Sequence, residues 1–311
     1  MAIPTLRVAL RNSTPPRPER DYVLYWMISA RRTRWNFALE HAVEAAVRLG
    51  KRLVVLEALR CDYRWASDRL HQFVLDGMAD NGARFASAAV AYFPYVEPQP
   101  NAGKGLLLAL ARQACLVVAD EFPCFFLPRM VEAAAKTLDV RLETVDGNGL
   151  LPLCDAEQAF PTAYAFRRHL QKKLPGHLQE FPESDPLAAP DLLRDPTLPA
   201  IAAGWRSAPF APETLAIDHG VAPVTGLRGG ERAGTTALET FVDRKLNRYN
   251  EDRNQPELVA TSGLSPYLHF GHVSVHQILM AVASREGWTP ANLGTSTAGK
   301  RAGWWCMSPS A

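Results

Sequence analysis

Paired cysteines are missing from this chain. Its five cysteines, Cys61, Cys115, Cys124, Cys154 and Cys306, are dispersed, and none stands at CxxC spacing. That pattern excludes a zinc-ribbon site and a dithiol redox centre, and predicts reduced thiols in a cytoplasmic protein. An excess of one charge is missing too: 34 basic residues face 32 acidic ones, for a net charge of +2. A global field therefore draws no polyanion, and attraction to nucleic acid must come from a local patch. No apolar run reaches bilayer length, and Arg and Pro come early where a signal peptide would need an apolar core. A soluble chain without a membrane partner is expected. Also absent is the GxGxxG turn of dinucleotide-binding sheets, because no glycine follows the first apolar run until Gly50.

The chain does contain a strict alternation of short apolar runs and helix-period segments. Residues 22–28, 52–59, 90–96, 115–120 and 140–146 read as buried strands. Between them, helices are predicted over Trp35–Leu49, Ser67–Ala89, Lys104–Gln113 and Pro128–Leu138. Alternation of this kind predicts an α/β doubly wound parallel sheet, here assigned to residues 20–153. Gly103-Lys104-Gly105 lacks the remaining residues of a phosphate loop and reads as a helix start. Arg31, Arg32 and Arg34 follow the first strand, where open α/β sheets bind ligands; a solvated charged loop is the alternative. Residues 154–229 hold one helical piece, Thr162–Lys173, and then Pro182, Pro186, Pro190, Pro196 and Pro199, so they read as an inter-domain connector.

Helical periodicity resumes near Glu231, and residues 230–311 read as an all-α domain. Leu238, Phe241, Val242, Leu246 and Tyr249 share one side, which by periodicity makes Tyr249 a core residue. The segment Thr261–Gly271, TSGLSPYLHFG, is the most informative in the chain. Ser265 suits an N-cap and Pro266 the first helical position. Free amides at that helix start, beside Thr261, Ser262 and Ser265, would cradle an anion such as a pyrophosphate; an ordinary capped helix is the alternative. His269 and His272 have no carboxylate partner at ligand spacing, so they read as structural or surface histidines, and no metal site is expected.

Taken together, Tyr249–Pro256, Thr261–Gly271, the stretch Tyr25–Ala42, the pair Gly229-Gly230 with Ala233, Ala237 and Phe241, and the terminal Gly299–Pro309 resemble the photolyase/cryptochrome family, specifically its class II cyclobutane pyrimidine dimer photolyases. Tyr249 stands twelve positions before Thr261, the spacing of that family's flavin signature. The resemblance implies that the helical domain, incomplete here, binds FAD through Tyr249, Thr261, Ser262, Gly263, Leu264 and Ser265. It implies light-dependent repair of pyrimidine dimers in damaged DNA by electron transfer from reduced FAD, the dimer being flipped from the helix. It also implies an antenna chromophore of unspecified identity in the α/β domain. Arg253 would touch a DNA phosphate or pair locally with Glu251, Asp252 or Glu257. No catalytic side chain is assigned, and no obligate protein partner is evident.

The family's pattern continues beyond Ala311, so a C-terminally truncated chain is expected, with an exposed apolar patch around Leu268, Phe270, Ile278 and Leu279, weak or absent flavin binding, and inactivity through loss of the C-terminal helices as one expected outcome. Trp304 and Trp305 would pack, stack on a base or relay electrons. The rival readings are a non-catalytic flavin-based light sensor and a flavin-free α/β fragment.

Overall fold

The computed structural model describes residues 3–156 and 158–290. Every strand expected from the alternation is present: β2 (Tyr22–Met27), β3 (Arg52–Leu59), β4 (Ala91–Val96), β5 (Ala114–Glu121) and β6 (Leu142–Asp146). They pair in parallel in the order β6-β5-β2-β3-β4. The chain winds outward from β2 first to β3 and β4 and then, on the other side, to β5 and β6. The switch in direction falls between β2 and β5, the place where open α/β sheets leave a crevice at their carboxyl edge.

One correction concerns the edge. A further strand, β1 (Val8–Leu10), lies ahead of the boundary placed at residue 20 and pairs antiparallel with β6. Three residues carry too short a pattern to register as a strand from sequence alone.

The residues of β2 alternate between two cores, as a pleated strand requires. Tyr22, Leu24 and Trp26 pack with α3 (Leu106–Ala111) and α4 (Leu127–Thr137). Val23, Tyr25 and Met27 pack with α1 (Phe37–Leu49) on the other face. Both faces are covered, which is why this strand reads as an unbroken apolar run. Asn36 starts α1 by accepting from the Ala38 and Leu39 amides at 3.0 and 3.1 Å. Its amide nitrogen reaches the Tyr25 hydroxyl and the Ala30 and Arg32 carbonyls. Asp120, near the end of β5, accepts from the Ile28, Ser29 and Ala30 amides and from the Tyr25 hydroxyl. Two polar side chains thus fix the loop that leaves β2.

The connector is less extended than its prolines suggest. Helix α5 (Ala163–His177) takes in Pro175, and short 3-10 turns at Pro186–Ala188 and Ala200–Gly204 lie against the sheet domain. Leu187, Leu192 and Ala202 are buried in its cores.

The helical part comprises α6 (Glu231–Arg244), α7 (Tyr249–Asp252), α8 (Ser265–His269) and α9 (Val275–Glu286). It docks on the long helix α2 (Asp68–Ser87) through Phe73, which packs with Leu238, Leu264, Tyr267 and Val273. Gly229 permits this approach, because a side chain there would collide with the Phe73 carbonyl oxygen.

Candidate functional site

The hydroxyl-rich bend differs from expectation at its helix. Leu264, not Ser265, precedes α8; Ser265 is its first residue, Pro266 follows, and no side chain caps it. The helix has only five residues, so its dipole adds little, and Ser265 does not supply the cap expected of it. The bend offers accessible backbone and hydroxyls instead. Thr261, Gly263 and Ser265 are exposed, Ser262 is half-buried, and Leu264 anchors the bend from beneath at 3% exposure. Gly263 has a φ of +70° with open space where a side chain would stand. The Ser262 hydroxyl accepts weakly from the Leu264 amide at 3.4 Å, and Lys245 donates to the Thr261 carbonyl at 3.3 Å.

Tyr249 does not extend the α6 stripe. That helix stops at Arg244, a 3-10 turn intervenes, and Tyr249 opens α7. Its half-buried ring still meets Phe241 edge-on at 5.2 Å and carries the Arg253 guanidinium 5.8 Å from its centre. Within the charged turn, Arg248 and Asp252 approach to 3.1 Å. Of the expected apolar patch, Leu268 is exposed and Phe270 and Ile278 are half-buried, but Leu279 is buried within α9's packing face. The terminal segment with Trp304, Trp305 and Cys306 lies outside the described residues.

Of the three arginines after β2, Arg31 and Arg32 are engaged in internal contacts and Arg34 stays exposed. Arg31 pairs with the buried Glu57 at 2.8 Å. Arg32 is buried and donates to the Trp35 and Gly271 carbonyls. Arg34 stands near Glu231, whose carboxylate also accepts from the Thr33 amide and hydroxyl. This loop therefore joins the sheet to the helical part. Gly271, ending the signature, fits there only as glycine: its φ is +72°, and a side chain would collide with the Ser29 carbonyl oxygen.

His272 and His276 complete the joint as neutral buried groups. The His272 ring stacks on Phe73 and accepts from the Gly230 amide at 2.9 Å, and the His276 ring meets Phe37 and Phe181 edge-on. Burial, reinforced for both by nearby arginines, holds each imidazole down at about 3. Ser274 caps α9 by accepting from the His276 amide.

A cavity of about 610 Å³ opens at the carboxyl ends of β2, β3 and β4, a place where sequence reasoning identified no pocket. Its floor is Trp26, Ile28, Leu56 and Tyr95, and its rim carries Tyr63, Trp65, Phe122, Phe125 and Phe126. Arg60, Arg64 and Lys104 stand at the margin, and burial pushes the Tyr63 phenol up to about 12. The size and apolar lining suit a small organic ligand with fused rings. One signal could have found it: aromatic residues crowd two loops that follow strands, at 62–65 and 122–126.

The chain is similar to proteins named deoxyribodipyrimidine photo-lyase. That of Methanothermobacter thermautotrophicus is 28% identical over 289 residues, which are 91% of this chain and 61% of that protein. That of Oryza sativa subsp. japonica is 29% identical over 293 residues, 87% of this chain and 54% of the relative. A bacterial class III photolyase from Agrobacterium tumefaciens, solved by crystallography, superposes with a TM-score of 0.62 at 18% identity; the match covers 86% of this chain and 54% of that one, and shows the fold. The chain thus spans between 54% and 61% of the length of these relatives. No family model matches it.

Proposed function

We propose that the chain belongs to the photolyase/cryptochrome family, a reading its similarity to deoxyribodipyrimidine photo-lyases supports, and that it serves light-dependent repair of cyclobutane pyrimidine dimers in DNA, as a class II type photolyase holding FAD on its helical part. The observation that carries the reading is the accessible bend Thr261–Ser265, with hydroxyls and an open glycine displayed above the anchoring Leu264. Thr261, Ser262 and Ser265 would bind phosphate and sugar oxygens, the Gly263 and Leu264 backbone would approach the pyrophosphate, and Tyr249 would close the pocket's side. Bound in reduced form, FAD would supply on photoexcitation the electron that opens the cyclobutane ring and then returns, so the reaction is a lyase step.

The remaining work belongs to the protein. The helical part must keep water from the reacting ring and receive a dimer flipped from the duplex. Arg253, beside Tyr249, would hold a DNA phosphate through paired N–H donors. The cavity at the sheet's carboxyl edge would take the antenna chromophore; its aromatic rim and marginal cations support that assignment.

The visible absorption of the freshly purified protein, followed by a repair assay on a dimer-containing oligonucleotide in light and in darkness, tests the reading. Bound flavin, even at low occupancy, together with light-dependent repair would support it. Flavin without repair would instead support a light sensor, and a colourless protein a flavin-free fold. Tyr249→Ala should reduce flavin retention by about tenfold, the loss of roughly 1.4 kcal/mol of contact; unchanged retention returns Tyr249 to a packing role.

A further inference from the structure

The cavity and the hydroxyl-rich bend share a wall. His269 and Phe270 come from the signature segment, yet both line the cavity. Phe270 packs at once with Phe73, 5.3 Å away, and with the cluster that contains Leu264 and Tyr267. Leu264 is the buried anchor of the bend, so Phe270 belongs both to the cavity lining and to the packing of the cluster that holds the bend. On the other side, His269 meets the Phe125 ring edge-on at 5.8 Å. Phe125 is 65% exposed and holds a left-handed backbone, φ +61°, which is costly for an aromatic residue.

We propose that a planar fused-ring anion bound in the cavity orders the Thr261–Gly271 segment through Phe270 and His269, so that cavity ligand and flavin bind cooperatively; this rests on reading the cavity as a chromophore site. The ligand class is set by the lining. Apolar and aromatic walls suit stacked rings. Arg60, Arg64 and Lys104 favour negative charge, and Glu97, the one acidic lining residue, already accepts from the Cys61 and Gly103 amides. A ligand covering Phe125, His269 and Phe270 removes their exposed apolar surface from water, and that gain exists only while α8 is docked. By linkage, whatever the ligand adds to the docked segment the flavin returns to the ligand.

Resorufin, a fluorescent three-ring anion, serves as the probe. Its anisotropy reports binding to the full chain, and hydrogen exchange followed by mass spectrometry reports protection of the 261–271 peptides. At a concentration about 100 times its Kd, exchange in those peptides should slow by about tenfold or more. Leu107→Trp, which fills the cavity from a position on α3 outside the signature, should abolish both binding and protection. Phe270→Ala should keep measurable binding and lose the protection. Resorufin that fails to bind, or binds the Leu107→Trp protein equally well, overturns the cavity reading itself. Resorufin that binds the wild-type cavity while the 261–271 exchange stays unchanged overturns the coupling and leaves the cavity reading standing.

Discussion

Single residues carry the joint between sheet and helices, and sterics and hydrogen bonding define their roles. Gly271→Ala combines a left-handed backbone with a collision against the Ser29 carbonyl. It should destabilise the protein by more than about 3 kcal/mol, a loss typical of strained, overpacked positions, read as a lower urea midpoint and as proteolysis between α6 and α9. Asn36→Ala should cost about 2–3 kcal/mol, because it removes a helix cap and leaves buried carbonyls at Ala30 and Arg32 short of a donor. A loss below about 0.5 kcal/mol would show that water replaces those bonds. Gly271 stands out in the sequence as part of a flavin signature, but its observed task is docking. No local pattern could have revealed that, since its steric partner, Ser29, lies in the loop after β2, at the other end of the chain.

At the scale of elements, legibility depended on length and repetition. The five parallel strands and α1 to α4 announced themselves because continuous apolar runs alternate along the chain with segments of helical period. The three-residue β1 did not, since so short a strand gives no period to read, and the five-residue α8 was legible only through Pro266 and its expected cap. The Ser265 cap failed for a related reason. Leu264 is drawn into the Phe73 cluster and takes the position before the helix, so Ser265 falls inside the first turn rather than at the cap that its side chain prefers. Ser265→Ala should therefore change the thermal midpoint by less than about 0.5 kcal/mol equivalent, as for an exposed residue without a cap bond. A cost near 1 kcal/mol would restore the capping role.

For the whole molecule, the joint predicts a pH dependence. His272 and His276 fall from an ordinary 6.5 to about 3 on burial. The unfolded chain then binds more protons than the native one below pH 6.5, so their stabilisation is complete above that value and is lost as pH falls toward 3, at about 1.4 kcal/mol per pH unit each. Glu40 acts oppositely: burial raises its carboxyl to about 7, so its contribution weakens as pH rises from 4.5 toward 7. With two histidines against one carboxyl, the urea midpoint should drop between pH 6.5 and 5; a flat profile would mean that both imidazoles are hydrated in the native state. The sequence by itself determined the parallel sheet, the helical character of the C-terminal part and the family likeness, because periodic burial and linear motifs are properties of neighbouring residues. Only the tertiary structure decided that Arg31 and Arg32 after β2 are mortar, that Gly271 is a contact point and that a large cavity borders the signature segment. Those facts depend on which distant surfaces meet, and surfaces far apart in the chain leave no period in it.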